Sequence, residues 1–399
     1  MIKRHLEQKL ESALKQYPVV SITGPRQSGK TTLMKSTLKN YDYVSLEDPD
    51  YRADAMDDPR GFLGQFTSNV MLDEVQQVPA LFSYIQGIVD QVDKPGQFVL
   101  SGSHNFLLME RISQSLAGRC AILHLMPFSR SELLGKKPMN ISNIGKAVSR
   151  TKADTKEKMF DMLFKGFYPR IHDKNLAPQN WLANYYQSYI ERDVRNIINI
   201  GDVETFGRFV RLCAGRSGQM LNMASLASDS GVSAVTVKRW LSILQASFIV
   251  KLLMPHHKNF RKRLVKSPKL YFLDTGLLCY LLRIRSSKDL EFHSMRGPIF
   301  ESWVVAELLK NYYHQALEPD IYFWRDSAGH EVDVIIDSGS ALTAIEIKSG
   351  QTIGSDFLKA LDYFRALVGQ PNMPAVLVYG GDRVAKRRGI SIIPWKNWL

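Results

Sequence analysis

The chain has 399 residues, 45% hydrophobic and 23% charged, enough for about two to four folded domains and unlike a disordered or fibrous composition. Lys and Arg number 52 against 39 Asp and Glu, a formal net charge of +13; that excess favours a polyanionic partner, nucleic acid ahead of an acidic membrane surface. Cys120, Cys213 and Cys279 lie far apart with no C-x-x-C pair, so a zinc ribbon and a disulfide framework are not indicated and a reducing cytosol fits.

The first residues are charged and lack an apolar signal core, and no run approaches the roughly 18 apolar residues of a membrane span. Residues 2–16 read as an amphipathic helix with Leu6, Leu10, Ala13 and Leu14 on one face. An apolar, β-branched run, Val19-Val20-Ser21-Ile22-Thr23, then leads into Gly24-Pro25-Arg26-Gln27-Ser28-Gly29-Lys30-Thr31-Thr32. The spacing is G-x-x-x-x-G-K-T, a phosphate-binding loop. Gly24 and Gly29 let the backbone curl so that its N–H groups point at phosphate oxygens, and the helix opening near Lys30 adds its positive end. Lys30 is expected at the β- and γ-phosphates of ATP, and the Thr31 hydroxyl on Mg²⁺.

Tyr43-Val44-Ser45-Leu46 is a second short strand. Asn69-Val70-Met71-Leu72-Asp73-Glu74 is a third, ending in two acids. Downstream of a phosphate loop, Asp73 is expected to hold Mg²⁺ through water and Glu74 to act as general base. Pro79 to Asp93 reads as a helix, Gln97 to Ser103 as a buried strand, and Cys120 to Leu125 as the next. Strands alternating with helices describe a parallel α/β sheet covered on both faces. Ser103 and Asn105 are candidates either for sensing the γ-phosphate or for capping a helix. Arg119, at the end of Ser115-Leu116-Ala117-Gly118-Arg119, is either an arginine that reaches a neighbour's nucleotide or a surface arginine in a turn.

From Pro127 to about Lys158 the pattern turns polar and loop-rich; Met159 to Cys213 reads as helical, a lid after the sheet domain. Met223-Ala224-Ser225-Leu226-Ala227, a turn at Gly231-Val232-Ser233, and a helix from Ala234 to Leu244 follow helix-turn-helix grammar. The second helix carries Lys238 and Arg239. A strand from Phe248 to Met254, a basic loop with Lys258, Arg261, Lys262, Arg263, Lys266 and Lys269, and a strand from Leu270 complete a winged helix whose wing suits phosphate-backbone contact.

The last segment opens with a helix from Phe300-Glu301 to Asn311. Glu331-Val332-Asp333-Val334-Ile335-Ile336 and Ala344-Ile345-Glu346-Ile347-Lys348 then read as paired strands. An acid on one strand and E-x-K on the next is the PD-(D/E)XK nuclease pattern. Strand alternation points Glu346 and Lys348 to one side. Asp333 and Glu346 are candidate ligands of a second Mg²⁺, Lys348 a partner of the attacking water or the phosphate, and Glu301 a further carboxylate.

In combination, Gly24–Thr31, Leu72-Asp73-Glu74, Ser115–Arg119, Lys266–Gly276, Gly329–Asp333 and Glu346-Ile347-Lys348-Ser349-Gly350 make the chain similar to a family of prokaryotic AAA-type ATPases with a C-terminal nuclease-like domain of unassigned role. The resemblance implies Lys30, Thr31, Asp73 and Glu74 at the nucleotide, Arg119 as an arginine finger, and a winged helix after the ATPase core. The expected fold is α/β: a P-loop AAA-type ATPase core (1–135), a helical lid (136–215), a winged helix-turn-helix (216–288) and a restriction-endonuclease-like α/β domain (289–399). The expected activity is a cytoplasmic, Mg²⁺-dependent ATPase. It would bind DNA, with branched or junction DNA as the substrate by analogy, and move or remodel it as a homo-oligomer such as a hexameric ring. The alternatives are an ATP-gated nuclease and a nucleotide switch that binds a protein partner.

Overall fold

Strand β1 (Val19–Thr23) is buried along its whole length because it lies inside a five-stranded sheet. The other strands are β2 (Asp42–Ser45), β3 (Val70–Asp73), β4 (Phe98–Ser101) and β5 (Cys120–His124), in the order β2-β3-β4-β1-β5. Every neighbouring pair is parallel, so all five strands deliver their C-terminal ends to one edge. β4 stands between the strand that feeds the phosphate loop and the strand that ends in Asp73. Alternation sorts the side chains between two apolar clusters. Val19, Leu72 and Leu100 meet the helix Leu81–Gln91 through Phe82, Ile85 and Val89. Val20, Met71 and Val99 meet Leu10, Leu33 and Met34 of the helices Glu7–Leu14 and Lys30–Thr37. Burial on both faces is what a parallel sheet needs.

The computed structural model describes residues 2–66, 69–92, 94–102, 111–112, 114–144, 157–191, 203–256 and 266–399. Ser103, Asn105, Lys258, Arg261, Lys262 and Arg263 lie outside the described residues. The chain forms two compact units: residues 1–138 with 246–248 and 312–318, and residues 139–245, 249–311 and 319–399.

The second unit begins with short helices, among them Met159–Lys165, Pro169–Asp173 and Pro178–Tyr185, and continues with the longer Val203–Ala214. The helix Met223–Ser230 follows. The Asn222 side chain caps it by accepting from Ser225 N at 3.0 Å, and Gly231 ends it at φ +74°, where a side chain would be strained. The Ser233 hydroxyl accepts from Thr236 N at 3.1 Å, opening the helix Ala234–Ala246. Strands β6 (Gln219–Met220), β7 (Val250–Leu253) and β8 (Lys269–Phe272) form an antiparallel sheet in the order β6-β8-β7.

A six-stranded mixed sheet closes the unit. Its strands are β9 (Ile321–Arg325), β10 (Glu331–Asp337), β11 (Leu342–Lys348), β12 (Ala375–Tyr379), β13 (Ala385–Arg387) and β14 (Ile390–Pro394), in the order β13-β14-β12-β11-β10-β9. The helix Lys359–Leu367 covers one face, burying Leu361 and Phe364 against Val332, Ala344 and Leu377. The pairing of β10 with β9 slips between Val332 and Ile335; such a bulge re-aims a side chain, and Asp333 sits in it. Among the described residues, no helix is long and apolar enough to cross a membrane.

Candidate nucleotide site and a carboxylate cluster

The loop between β1 and the helix Lys30–Thr37 is shaped by its glycines. Gly24 has φ +149° and Gly29 has φ +95°, with Gln27 between them at φ +64°. A Cβ on Gly24 would stand 2.1 Å from the Leu125 carbonyl oxygen, which is backbone and cannot step aside. Gly24→Ala should therefore distort the loop, with an overpacking cost of about 1–3 kcal/mol. A fall in both melting temperature and ATP affinity, read by thermal unfolding and fluorescent-nucleotide titration, is the expected result.

Lys30 is buried, and its Nζ donates to the Gly24 and Pro25 carbonyls at 3.0 and 3.1 Å. Burial lowers its pKa while Glu74 and Asp73 pull the other way. The ammonium thus rests on neutral acceptors inside a ring of backbone, the posture of a cation that a polyphosphate would engage. Thr31 Oγ1 donates to Asp73 Oδ2 at 2.6 Å. Asp73 is also held by the hydroxyls of Tyr43 (2.9 Å) and Ser101, and burial together with Asp73 raises the Tyr43 pKa. This hydroxyl–carboxylate pair beside the loop is the donor chemistry of a hard, oxygen-seeking cation, so the residues fit Mg²⁺. When bound with ATP, that ion would neutralise charge on the phosphates.

Glu74 follows β3 in the left-handed region, φ +54°, and its Oε2 accepts from Gln76 Nε2 at 2.5 Å. Arg26 is half-buried with Nη2 3.9 Å from Glu47, Ser28 is buried, and Thr32 is exposed. Sequence reasoning missed Tyr43 and Ser101, whose hydroxyls reach Asp73 from the neighbouring strands β2 and β4. It also missed Arg4, whose guanidinium donates to Ser28 O (2.8 Å), Met126 O (2.6 Å) and Glu132 Oε1 (3.0 Å), tying the back of the phosphate loop to the N-terminal segment.

Arg119 lies at the opposite edge of the sheet. Its carbonyl accepts from Val19 N, and its guanidinium forks onto Asp90, with Nη2 to Oδ2 at 3.0 Å. The length of β1, five residues at ~3.3 Å each or about 16 Å, separates it from its own phosphate loop. It does not reach the nucleotide of its own chain.

The C-terminal candidates do converge. Lys348 Nζ is 2.5 Å from Glu346 Oε1 and 3.8 Å from Asp333 Oδ2, as alternation predicts. Ile347 N donates to Asp333 Oδ2 at 2.8 Å. Glu301 comes in from the helix Arg296–Tyr313, its Oε1 accepting from Tyr271 at 2.5 Å. Burial raises the pKa of Glu301, against the pull of Lys269, and burial with Asp333 raises that of Glu346.

The cluster also contains an unexpected cation. Lys269, which the sequence places on a basic wing, is 2% exposed. Its Nζ lies 3.1 Å from Glu301, 2.5 Å from Glu331 and 3.6 Å from Asp333. Burial disfavours its charge, but Tyr271, Glu301, Asp333 and Glu331 together raise its pKa well above the ordinary value. The signal was in the sequence: a lone lysine opens the apolar run Leu270-Tyr271-Phe272, and alternation puts it on the same side as Tyr271. A Mg²⁺ needs oxygens at about 2.0–2.1 Å in an octahedron. With an ammonium already among Glu301, Glu331 and Asp333, the residues present do not fit a divalent ion.

A second cluster pairs one buried carboxylate with two histidines. His5, Glu132 and His314 bring ligand atoms within 4.8 Å of one another. The Arg4 guanidinium is already on Glu132, whose oxygens also accept from His5 N and Ser129 N. Both Glu132 oxygens are thus already engaged as hydrogen-bond acceptors.

Over 353 residues the chain is 30% identical to an uncharacterized protein of Mycobacterium tuberculosis, covering 88% of this chain and 74% of that one. The chain belongs to that protein's family. An uncharacterized protein of Mycobacterium bovis matches with the same values. Within this family member, residues 16–134 match the AAA domain, residues 156–288 a domain of unknown function (DUF8612) and residues 296–398 a domain of unknown function (DUF4143). Residues 16–134 therefore resemble an AAA domain, and that match supports ATP binding and hydrolysis. Among solved structures it is distantly similar to a Walker-type ATPase of Pyrococcus abyssi, at 15% identity, TM-score 0.43, 71% of this chain and 96% of that one. It is also distantly similar to the RuvB Holliday junction branch migration motor of Thermotoga maritima, at 16% identity, TM-score 0.25, 62% of this chain and 88% of that one.

Proposed function

We propose that this AAA-type ATPase binds DNA and couples ATP hydrolysis, with Mg²⁺ held through Thr31 and Asp73, to moving or remodelling it. In this reading residues 1–135 are the ATPase core, 136–215 a helical lid, 216–288 a winged helix and 289–399 an endonuclease-like binding domain. The protein works as a homo-oligomer in the cytoplasm, a hexameric ring being the arrangement in which Arg119 completes the neighbouring site. The position of Arg119, a sheet length from its own phosphate loop, supports action in trans.

The DNA reading is supported by the succession of the helix Met223–Ser230, a turn and the helix Ala234–Ala246. Its second helix, Ala234–Ala246, contains no acid and exposes both Lys238 and Arg239. Such an exposed cationic pair suits phosphate contact. The motif names no sequence preference; junction DNA remains the first substrate to try.

Steady-state ATP hydrolysis measured without nucleic acid, with duplex and with four-way junction DNA tests this. Several-fold stimulation that weakens with salt is expected, because each phosphate contact releases counterions. A rate that is flat across every DNA would overturn the motor reading and leave the nucleotide switch with a protein partner. The nuclease reading needs a metal at the C-terminal carboxylates, where Lys269 now stands.

A further inference from the structure

The buried carboxylate of Asp73 receives four donors, divided evenly between its oxygens. Oδ1 accepts from the Ser101 hydroxyl and from Glu74 N at 3.2 Å; Oδ2 accepts from Thr31 Oγ1 at 2.6 Å and from the Tyr43 hydroxyl at 2.9 Å. A carboxylate has about four lone-pair positions, so the group is fixed in rotation as well as in place. The Tyr43 contact runs obliquely across the sheet. In the pairing of β2 with β3, Ser45 stands opposite Asp73 and Tyr43 stands opposite Met71. The phenol spans that diagonal, a reach that a serine or threonine hydroxyl at this position lacks. Its ring is held in turn by Lys35, on the helix that the phosphate loop opens. The Lys35 Nζ lies 3.6 Å from the ring centroid, within cation–π range.

The two donors on Oδ2 are not equivalent. The Thr31 hydroxyl is the one wanted at Mg²⁺ when nucleotide is bound. Tyr43 comes from outside the phosphate loop and stays available to Asp73. We propose that Tyr43 is a positioning residue for the nucleotide's metal: its hydroxyl keeps Oδ2 turned toward Thr31, and Lys35 keeps the phenol aimed, so that Asp73 meets Mg²⁺ without first reorienting. This role rests on the nucleotide-binding half of the proposed function and not on DNA. It makes metal affinity depend on a strand that carries no part of the phosphate loop and neither acid of the pair Asp73-Glu74. Partners that orient a metal-holding group are worth about 10–100-fold in metal affinity or activity.

Titration of a fluorescent, non-hydrolysable ATP analogue against the full chain, in EDTA and over a Mg²⁺ series, reads this without turnover. Wild-type affinity should rise with Mg²⁺. Tyr43→Phe keeps the ring and its contact with Lys35. In this variant the Mg²⁺ concentration giving half of that rise should increase about tenfold or more, while affinity in EDTA stays within about twofold. An Mg²⁺ midpoint equal to that of the wild type overturns the proposal. So does an affinity that falls equally with and without Mg²⁺, which is the mark of a merely structural tyrosine. If Tyr43→Phe fails to fold, Lys35→Met carries the test: the same midpoint should rise at unchanged EDTA affinity, and an unchanged midpoint overturns the role. A wild-type affinity indifferent to Mg²⁺ overturns the nucleotide reading itself, and the role of Tyr43 with it.

Discussion

Glu74→Gln is expected to slow steady-state ATP hydrolysis by about 10²–10⁴-fold, the range for loss of a general base, while ATP affinity stays within a few-fold. The amide matches the carboxylate in shape but cannot accept a proton from water. Its neighbours should hold their places: the residue's own N–H still donates to Asp73 Oδ1, 3.2 Å away, and an amide oxygen still accepts from Gln76. Phosphate release under single-turnover conditions reads the chemical step, and fluorescent-nucleotide titration reads binding. Hydrolysis at the wild-type rate would place the base elsewhere and leave Glu74 as a backbone pivot at positive φ.

The second large effect concerns a residue that touches no substrate. Glu132→Ala is expected to destabilise the protein by about 3–5 kcal/mol, the cost of stripping one partner from a buried ion pair. Glu132 and Arg4 are almost wholly buried, so the guanidinium would be left without its counter-charge. The N–H groups of His5 and Ser129 would lose their acceptor as well. Because Arg4 also holds the Ser28 carbonyl, ATP affinity should fall with stability. The network predicts a pH dependence. Burial alone would raise the Glu132 pKa; His314, Arg4 and the two backbone donors outweigh it and bring it from 4.5 down to about 2. An acid depressed in the folded state contributes stability above its unfolded pKa, and that contribution fades as pH falls from about 4.5 toward 2. Urea midpoints measured across this window should fall steeply for the wild type and less steeply for Glu132→Gln.

The geometry of the candidate nucleotide site was legible in the sequence because it is local. Gly24, Gly29, Lys30 and Thr31 lie within one loop, and the loop's φ values are what the glycines announce. Asp73 and Glu74 were readable from the strand that ends in them. Tyr43 and Ser101 were not, since they join Asp73 only through strand order, and β4's place between β1 and β3 has no local marker. Glu346 and Lys348 were readable from alternation on β11. Lys269 was misread because charge composition assigns a lysine to the surface by default. Its burial depends on carboxylates 32 or more residues away in sequence, a long-range pairing that composition does not record. Arg4 and Glu132, 128 residues apart, were invisible for the same reason.

The composition of the first unit bears on how the protein is made. Its own members include residues 312–318, and His314, which stands 3.5 Å from Glu132, is one of them. A ribosome that has released residue 138 must add roughly 180 more residues, about 10–40 s at ~5–20 residues/s, before this unit has all its parts. Until then the ATPase sheet exists as a nascent intermediate with the Glu132 network incomplete. Fragments cut near residue 135 would lack His314 and keep that network incomplete, so they should unfold at lower urea than the same unit in the full chain.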